Sequence, residues 1–321
     1  MVTRRPLRLS ALASAFALAV LALLGACAGA GAPAPALPVF DAAGRPAERS
    51  AVLARLAAAR FVLLGEVHDN PAHHAARAEL LRVLLADGRP TRVVFEQIDR
   101  ERNDAIAALP PAQAGDADAV TSAGQLDRSG WAWPLHRPVF EAALAGGAVV
   151  RGGNLSRADA NQLVRGGAAR LPADLQHWFD PNRPEAAWSA AQDEAMRRDV
   201  DEGHCKALPA QMLAPMALAQ RARDAALAEA LLAAPPGTRV VLIAGNGHVR
   251  SGLGVPHYLR AAGVPAGQVA SIGYLELAGA GVADADERSD YDFTATATPV
   301  QRADPCDAFK PKPRPAPLAT P

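Results

Sequence analysis

The chain has 321 residues, 50% of them hydrophobic, and 33 basic residues balance 33 acidic ones. A chain this apolar builds a core, and zero net charge excludes both a disordered polymer and the basic footprint of a nucleic-acid binder. Lysine occurs only at Lys206, Lys310 and Lys312, so clusters of arginine are first a compositional trait.

Arg4, Arg5 and Arg8 precede an apolar run over 11–24, and Leu24-Gly25-Ala26-Cys27 comes next. The run is too short for a membrane span, which needs about 20 residues, and suits an export signal over 1–26. Small residues before Cys27 form a lipobox, with Cys27 as the lipidated residue that anchors the protein in the bacterial cell envelope. Residues 27–38 are a Pro/Gly/Ala tether, 39–309 the folded unit, and 310–321 a proline-rich disordered tail.

Strands are predicted over 60–65 (RFVLLG), 92–96 (RVVFE), 148–152 (AVVRG), 239–244 (RVVLIA) and 268–277 (QVASIGYLEL). Helical patterns lie over 74–86, 138–145 and 158–169, and over 184–233 with breaks near Gly203 and Pro209. Continuous Val/Leu/Ile strands separated by helices predict an α/β fold: a mostly parallel sheet, helices on both faces, and a helical insertion over about 155–235.

Polar residues fall where such strands end: Glu66 and His68 after the first, Glu96 closing the second, Asn154 after the third, Asn246 and His248 after the fourth. Ligands of open α/β sheets bind outside the carboxyl ends of strands, so these segments are expected to share one crevice. Leu64-Gly65-Glu66-Val67-His68 and Gly245-Asn246-Gly247-His248 are two glycine-led turns that each deliver a histidine. A carboxylate beside an imidazole fits acid–base work or a metal site, and so does a hydrogen-bonded pair fixing a loop. Glu66, His68, Glu96 and His248 are the catalytic candidates. Glu66, His68 and His248 are the metal-ligand candidates, and Gly65, Gly245 and Asn246 permit close approach of a cofactor.

Four tryptophans (Trp131, Trp133, Trp178, Trp188) are read as packing residues and Arg221, Arg223 and Asp224 as ion-pairing ones. His257 and Tyr258 come after Pro256 at a helix start, where exposure is expected. Export places Cys205 and Cys306 in an oxidising compartment, and they are expected to form a disulfide.

The segments LLGEVHDNPAHH, VVFEQ, WAWPLHRPVF, GGNLSR, GHCKALP, QRARDAALAEAL and LIAGNGHVRSGLGVPHYL resemble the ChaN-like haem-binding uptake family of bacterial lipoproteins, within the wider Tiki superfamily. The resemblance runs from about Phe61 to Tyr274. It implies an outer-membrane lipoprotein that binds haem between two protomers and contributes to iron uptake. Haem iron in that family is associated with tyrosine, and His136 and Tyr258 are the candidate axial ligands here. The superfamily also contains metal-dependent proteases and erythromycin esterases, so a hydrolase or peptidase with a divalent ion is the alternative. The expected partners are haem, the membrane through Cys27, and a second copy of the chain.

Overall fold

A computed structural model of the chain describes residues 37–278 and 281–309. The expected export signal, Cys27, most of the expected tether and the expected 310–321 tail lie outside these residues. Leu37 packs against the core and the Pro38 carbonyl accepts from Thr296 N–H.

Seven strands form one sheet: β1 (Val39–Asp41), β2 (Phe61–Leu64), β3 (Thr91–Asp99), β4 (Val149–Asn154), β5 (Arg239–Ile243), β6 (Val269–Glu276) and β7 (Phe293–Ala297). Their order is β1-β7-β6-β2-β5-β3-β4, parallel throughout except for the antiparallel edge strand β1. Alternation of side chains sorts the core onto two faces. Val62, Leu64, Val93, Phe95, Val241 and Ile243 point to one side, where helices α1 (Arg49–Ala58), α2 (Pro71–Leu85) and α3 (Trp133–Ala145) cover them; Phe95 stacks on Phe140 at 3.8 Å. Phe61, Leu63, Val94, Val240 and Leu242 face α4 (Arg157–Gly166) and the Ala-rich α6 (Ala210–Leu232). With α5 (Ala190–Gly203), α4 and α6 form the helical subdomain between β4 and β5.

Several expectations are corrected. Strand β3 continues to Asp99, with an irregularity between Phe95 and Asp99, so Glu96 lies inside the strand and does not close it. Helix α3 starts at Trp133, with Pro138 in its interior, because Ala132 turns the chain at φ 45° immediately before. Strands β1 and β7 carry no apolar run of their own: one has three residues, and the other, FTATA, buries threonines. His257 and Tyr258 are buried, because their helix (Val255–Ala261) lies under the subdomain and against the sheet.

After β7 the chain forms a strap. The Arg302 guanidinium donates to both Asp69 and Glu276 at 2.7–2.8 Å, and Val300 N–H donates to Glu276. Cys306 then joins Cys205 in a disulfide with a Cα separation of 5.5 Å, where α5 ends in two left-handed residues, Cys205 and Lys206. The step from Arg302 to Cys306 spans at most about 14 Å, so the strap links the β2 loop to the helical subdomain. Among the described residues no helix is long and apolar enough to cross a membrane.

Candidate active site

Strand order makes the crevice. β5 lies between β2 and β3, with Ile243 in register with both Leu64 and Phe95. Gly65, Ala244 and Glu96 therefore stand level at the carboxyl end of three neighbouring strands, and the residues beyond each enter one space.

Gly65 is required by packing. A Cβ there would meet Asn246 Oδ1 at 2.1 Å. Asn246 fills that space because its side chain pairs with the β6 backbone, donating to Tyr274 C=O at 2.6 Å and accepting from Tyr274 N–H at 3.0 Å. Asn246 thus fills the space that a side chain at residue 65 would need, and stitches the β2 and β5 turns to β6. Gly245 serves a different neighbour: a Cβ there would meet His68 Cε1 at 2.9 Å, so its absence lets the imidazole lie on the backbone.

Glu66 is fully buried and is the hub of the β2 side. Its Oε1 accepts from His68 Nδ1 at 2.7 Å and from Gln97 Nε2 at 3.1 Å, and stands 4.0 Å from His136 Nε2. Its Oε2 is ion-paired with Arg77 and lies 3.4 Å from His74 Nδ1. His74 Nε2 reaches the His68 carbonyl at 2.8 Å, an acceptor, so Nε2 carries the proton and Nδ1 the lone pair. That lone pair accepts from Arg77 Nη2 at 2.8 Å. Burial pushes His74 down to about 4 and His136 down to about 2, the latter with the Arg77 charge nearby. Both are neutral imidazoles at ordinary pH. Burial also lowers Arg77, to about 9, leaving it a cation near neutrality. The His68 side chain is 51% exposed and lies edge-on to Trp131 at 4.9 Å.

On the β5 side, Glu96 Oε2 accepts from Gly245 N–H at 2.7 Å and its Oε1 lies 3.2 Å from His248 Nε2. His248 Nδ1 is 2.6 Å from Asp224 Oδ1, and Gln220 Nε2 is 3.3 Å from Nε2. All three ionisable groups are buried. Burial alone would depress His248, but Glu96 and then Asp224 raise it well above the usual imidazole range. Burial would raise Glu96, yet the His248 charge, its hydrogen bond and Gly245 N–H hold that carboxyl far below the usual range. Burial wins at Asp224, which is raised. The result is an imidazolium clamped between two carboxylates.

Glu66 is thus bonded to His68 and Glu96 to His248, and the two pairs approach each other where His68 and Glu96 both meet Gly245. The expected metal set of Glu66, His68 and His248 is corrected, because His248 has both nitrogens committed and a proton on each. The residues whose ligand atoms do gather, all within 4.8 Å of one another, are Glu66, His74 and His136, a buried group that could coordinate a metal ion. Neither expected haem ligand presents its donor atom to a large external group. His136 is 1% exposed, and Tyr258, 0% exposed, donates its hydroxyl to the Arg221 carbonyl at 3.1 Å while burial raises its pKa. Asn154 sits beside the crevice, accepting from Arg223 Nη1 at 3.0 Å.

His74, Arg77, Gln97, Gln220 and Asp224 are the site residues that sequence reasoning missed or set aside. Asp224 had a local signal, a lone acid in the Ala-rich core stripe of α6; Arg77, three residues past His74 on α2, had none.

The chain belongs to the family described as haem-binding uptake, Tiki superfamily, ChaN, whose model matches residues 52–259. Its fold is similar to ChaN of Campylobacter jejuni, from a structure described as showing cofacial haem binding. The two share 17% identity over 81% of this chain and 96% of that one, with a TM-score of 0.67. More remote likenesses are to the type III effector HopBA1 (13% identity, 78% of this chain, 92% of that one, TM-score 0.44) and to a mutant of the erythromycin esterase EreC in its open conformation (16%, 80% and 81%, TM-score 0.38). At these identities the likeness is one of fold. No curated protein matches this chain in sequence.

Proposed function

We propose that the crevice is the active site of a metal-dependent hydrolase or peptidase of the cell envelope. The carrying observation is the Glu66, His74 and His136 group directly beneath the half-exposed His68. The donor set fits a divalent ion: one carboxylate, two neutral imidazoles, a His74 whose far nitrogen is fixed by a carbonyl, and a His136 Nε2 with no protein partner. An ion held there would supply Lewis-acid polarisation of the bond to be hydrolysed. The chain's own residues do the proton work. Glu66 Oε1 can only accept, so His68 Nδ1 carries the hydrogen and its Nε2 lone pair is left to take a proton from water. Gly245 backs the ring, Trp131 walls it, and the clamp on His248 holds Gly245 in place through Glu96.

The test is hydrolysis of ester and peptide panels by protein stripped with chelator and reloaded with Zn2+, Mn2+ or Co2+. Turnover should need the metal and vanish in His68→Ala; turnover indifferent to both would sink the reading.

Haem carriage is the second reading, favoured by the family and by the fold shared with the Campylobacter jejuni protein. In it the chain is an outer-membrane lipoprotein, anchored through Cys27, that binds haem between two copies and serves iron uptake. His136 and Tyr258 do not fit as axial ligands in this structure, because both are buried. A haemin titration separates the readings: a shifted Soret band lost in His136→Ala or Tyr258→Phe would restore haem as the ligand. Mature protein beginning at Cys27 without lipid, by mass spectrometry, would remove the anchor from either reading.

A further inference from the structure

Arg77 has no role in the proton chemistry, yet it occupies the centre of the buried group. Its Nη2 touches two of the three donor residues, pairing with Glu66 Oε2 and donating to the Nδ1 lone pair of His74 at 2.8 Å. These are the atoms that Glu66 and His74 turn toward each other, 3.4 Å apart. The side chain is wholly buried, and its Nε and Nη1 find no protein partner. So the guanidinium is held by the donor pair and by little else. Glu66 needs a cation, because an unpaired buried carboxylate is costly, and apart from Arg77 its ionisable neighbours are imidazoles. An ion bound to Glu66 Oε2 and His74 Nδ1 would stand against Nη2, and like charges that close in a desolvated site repel strongly.

We infer that Arg77 is the resident cation of the Glu66, His74 and His136 site, and that a divalent ion enters only by displacing it. The inference rests on the metal reading above and adds its regulation: the metal-free fold is a stable resting form, and metal loading is a switch between two cations. Arg77 is a positioning residue in that resting form, holding Glu66 ionised and aimed at His68.

The experiment titrates the full chain with Co2+, followed by its visible absorption and by competition with a chelator, in wild type, Arg77→Met, Arg77→Gln and Arg77→Lys. Arg77→Met and Arg77→Gln should bind Co2+ about tenfold or more tightly than wild type, and adding His74→Ala should abolish the gain. Arg77→Lys, which keeps a charge, should not gain. Thermal melts give a second readout: metal-free Arg77→Met should melt below wild type, and Co2+ should raise its Tm more than that of wild type. Equal Co2+ affinity in wild type, Arg77→Met and Arg77→Gln overturns the exchange and leaves the metal reading standing. Absence of Co2+ binding from all four proteins overturns both.

Discussion

On the β2 side of the crevice a buried carboxylate, Glu66, is neutralised by an arginine, and the histidines around it stay neutral. On the β5 side two buried carboxylates, Glu96 and Asp224, have only His248 between them, and that imidazole takes the charge. Both sides set histidine beside a buried carboxylate and the chemistry is opposite, because the source of positive charge differs. Where arginine supplies it, the imidazoles stay neutral, the His74 lone pair held by Arg77 itself and His136 Nε2 without a protein partner; where nothing else does, the imidazole becomes a cation and a structural clamp. A histidine's role here is set by whichever cation stands nearest its carboxylate.

The sharpest test of this contrast is kinetic. His68→Ala should lower turnover by about 10²–10⁴-fold, the usual loss when a general base is removed, with little change in Tm because the ring is half exposed. His248→Ala should act in the reverse sense, costing the fold first. Removing one partner of a buried charged pair costs about 3–5 kcal/mol, so Glu96→Ala, which also strands Gly245 N–H, should lower the unfolding free energy in urea by that amount. If Glu96→Ala melts like wild type, the β5 cluster is not a clamp.

Next in size is the strap. The disulfide closes a separation of 101 residues, and removal of such a link typically costs about 2–4 kcal/mol. Cys306→Ser should show that loss in denaturant unfolding while leaving Co2+ binding unchanged, since neither cysteine belongs to the Glu66, His74 and His136 group.

The remaining test is pH dependence, in which the two sides should pull in opposite directions. His74 and His136 are lowered, to about 4 and about 2, so their neutral burial favours the fold fully above about pH 6.5. That contribution is lost as the pH falls, when the unfolded chain gains protons the native state refuses. His248 is raised, to about 10, so its contribution is whole below about 6.5 and is lost as the pH rises through about 10. Each group contributes a slope of up to about 1.4 kcal/mol per pH unit. Chelator-treated protein melted from pH 4 to 10 should show a shallower acid limb in His136→Gln, where His74 still contributes, and a shallower alkaline limb in His248→Gln, where Arg77 still titrates; identical profiles would refute the assignment of charges.

The amino-acid sequence by itself determined the features that local pattern encodes. Continuous Val/Leu/Ile runs marked five of the seven strands, and glycine-led turns marked where Glu66, His68, Asn246 and His248 leave them. The position of polar residues at strand ends predicted a common crevice before any strand order was known. Only the tertiary structure decided which strands are neighbours, and β5 inserted between β2 and β3 is what brings Glu96 onto Gly245. It also supplied partners from distant helices: Asp224 from α6, His136 from α3 and Arg77 from the next turn of α2. Protonation belonged to it as well. Whether a histidine is a ligand, a base or a cation depends on burial and on the nearest opposite charge, and these arise from contacts between residues remote in the chain.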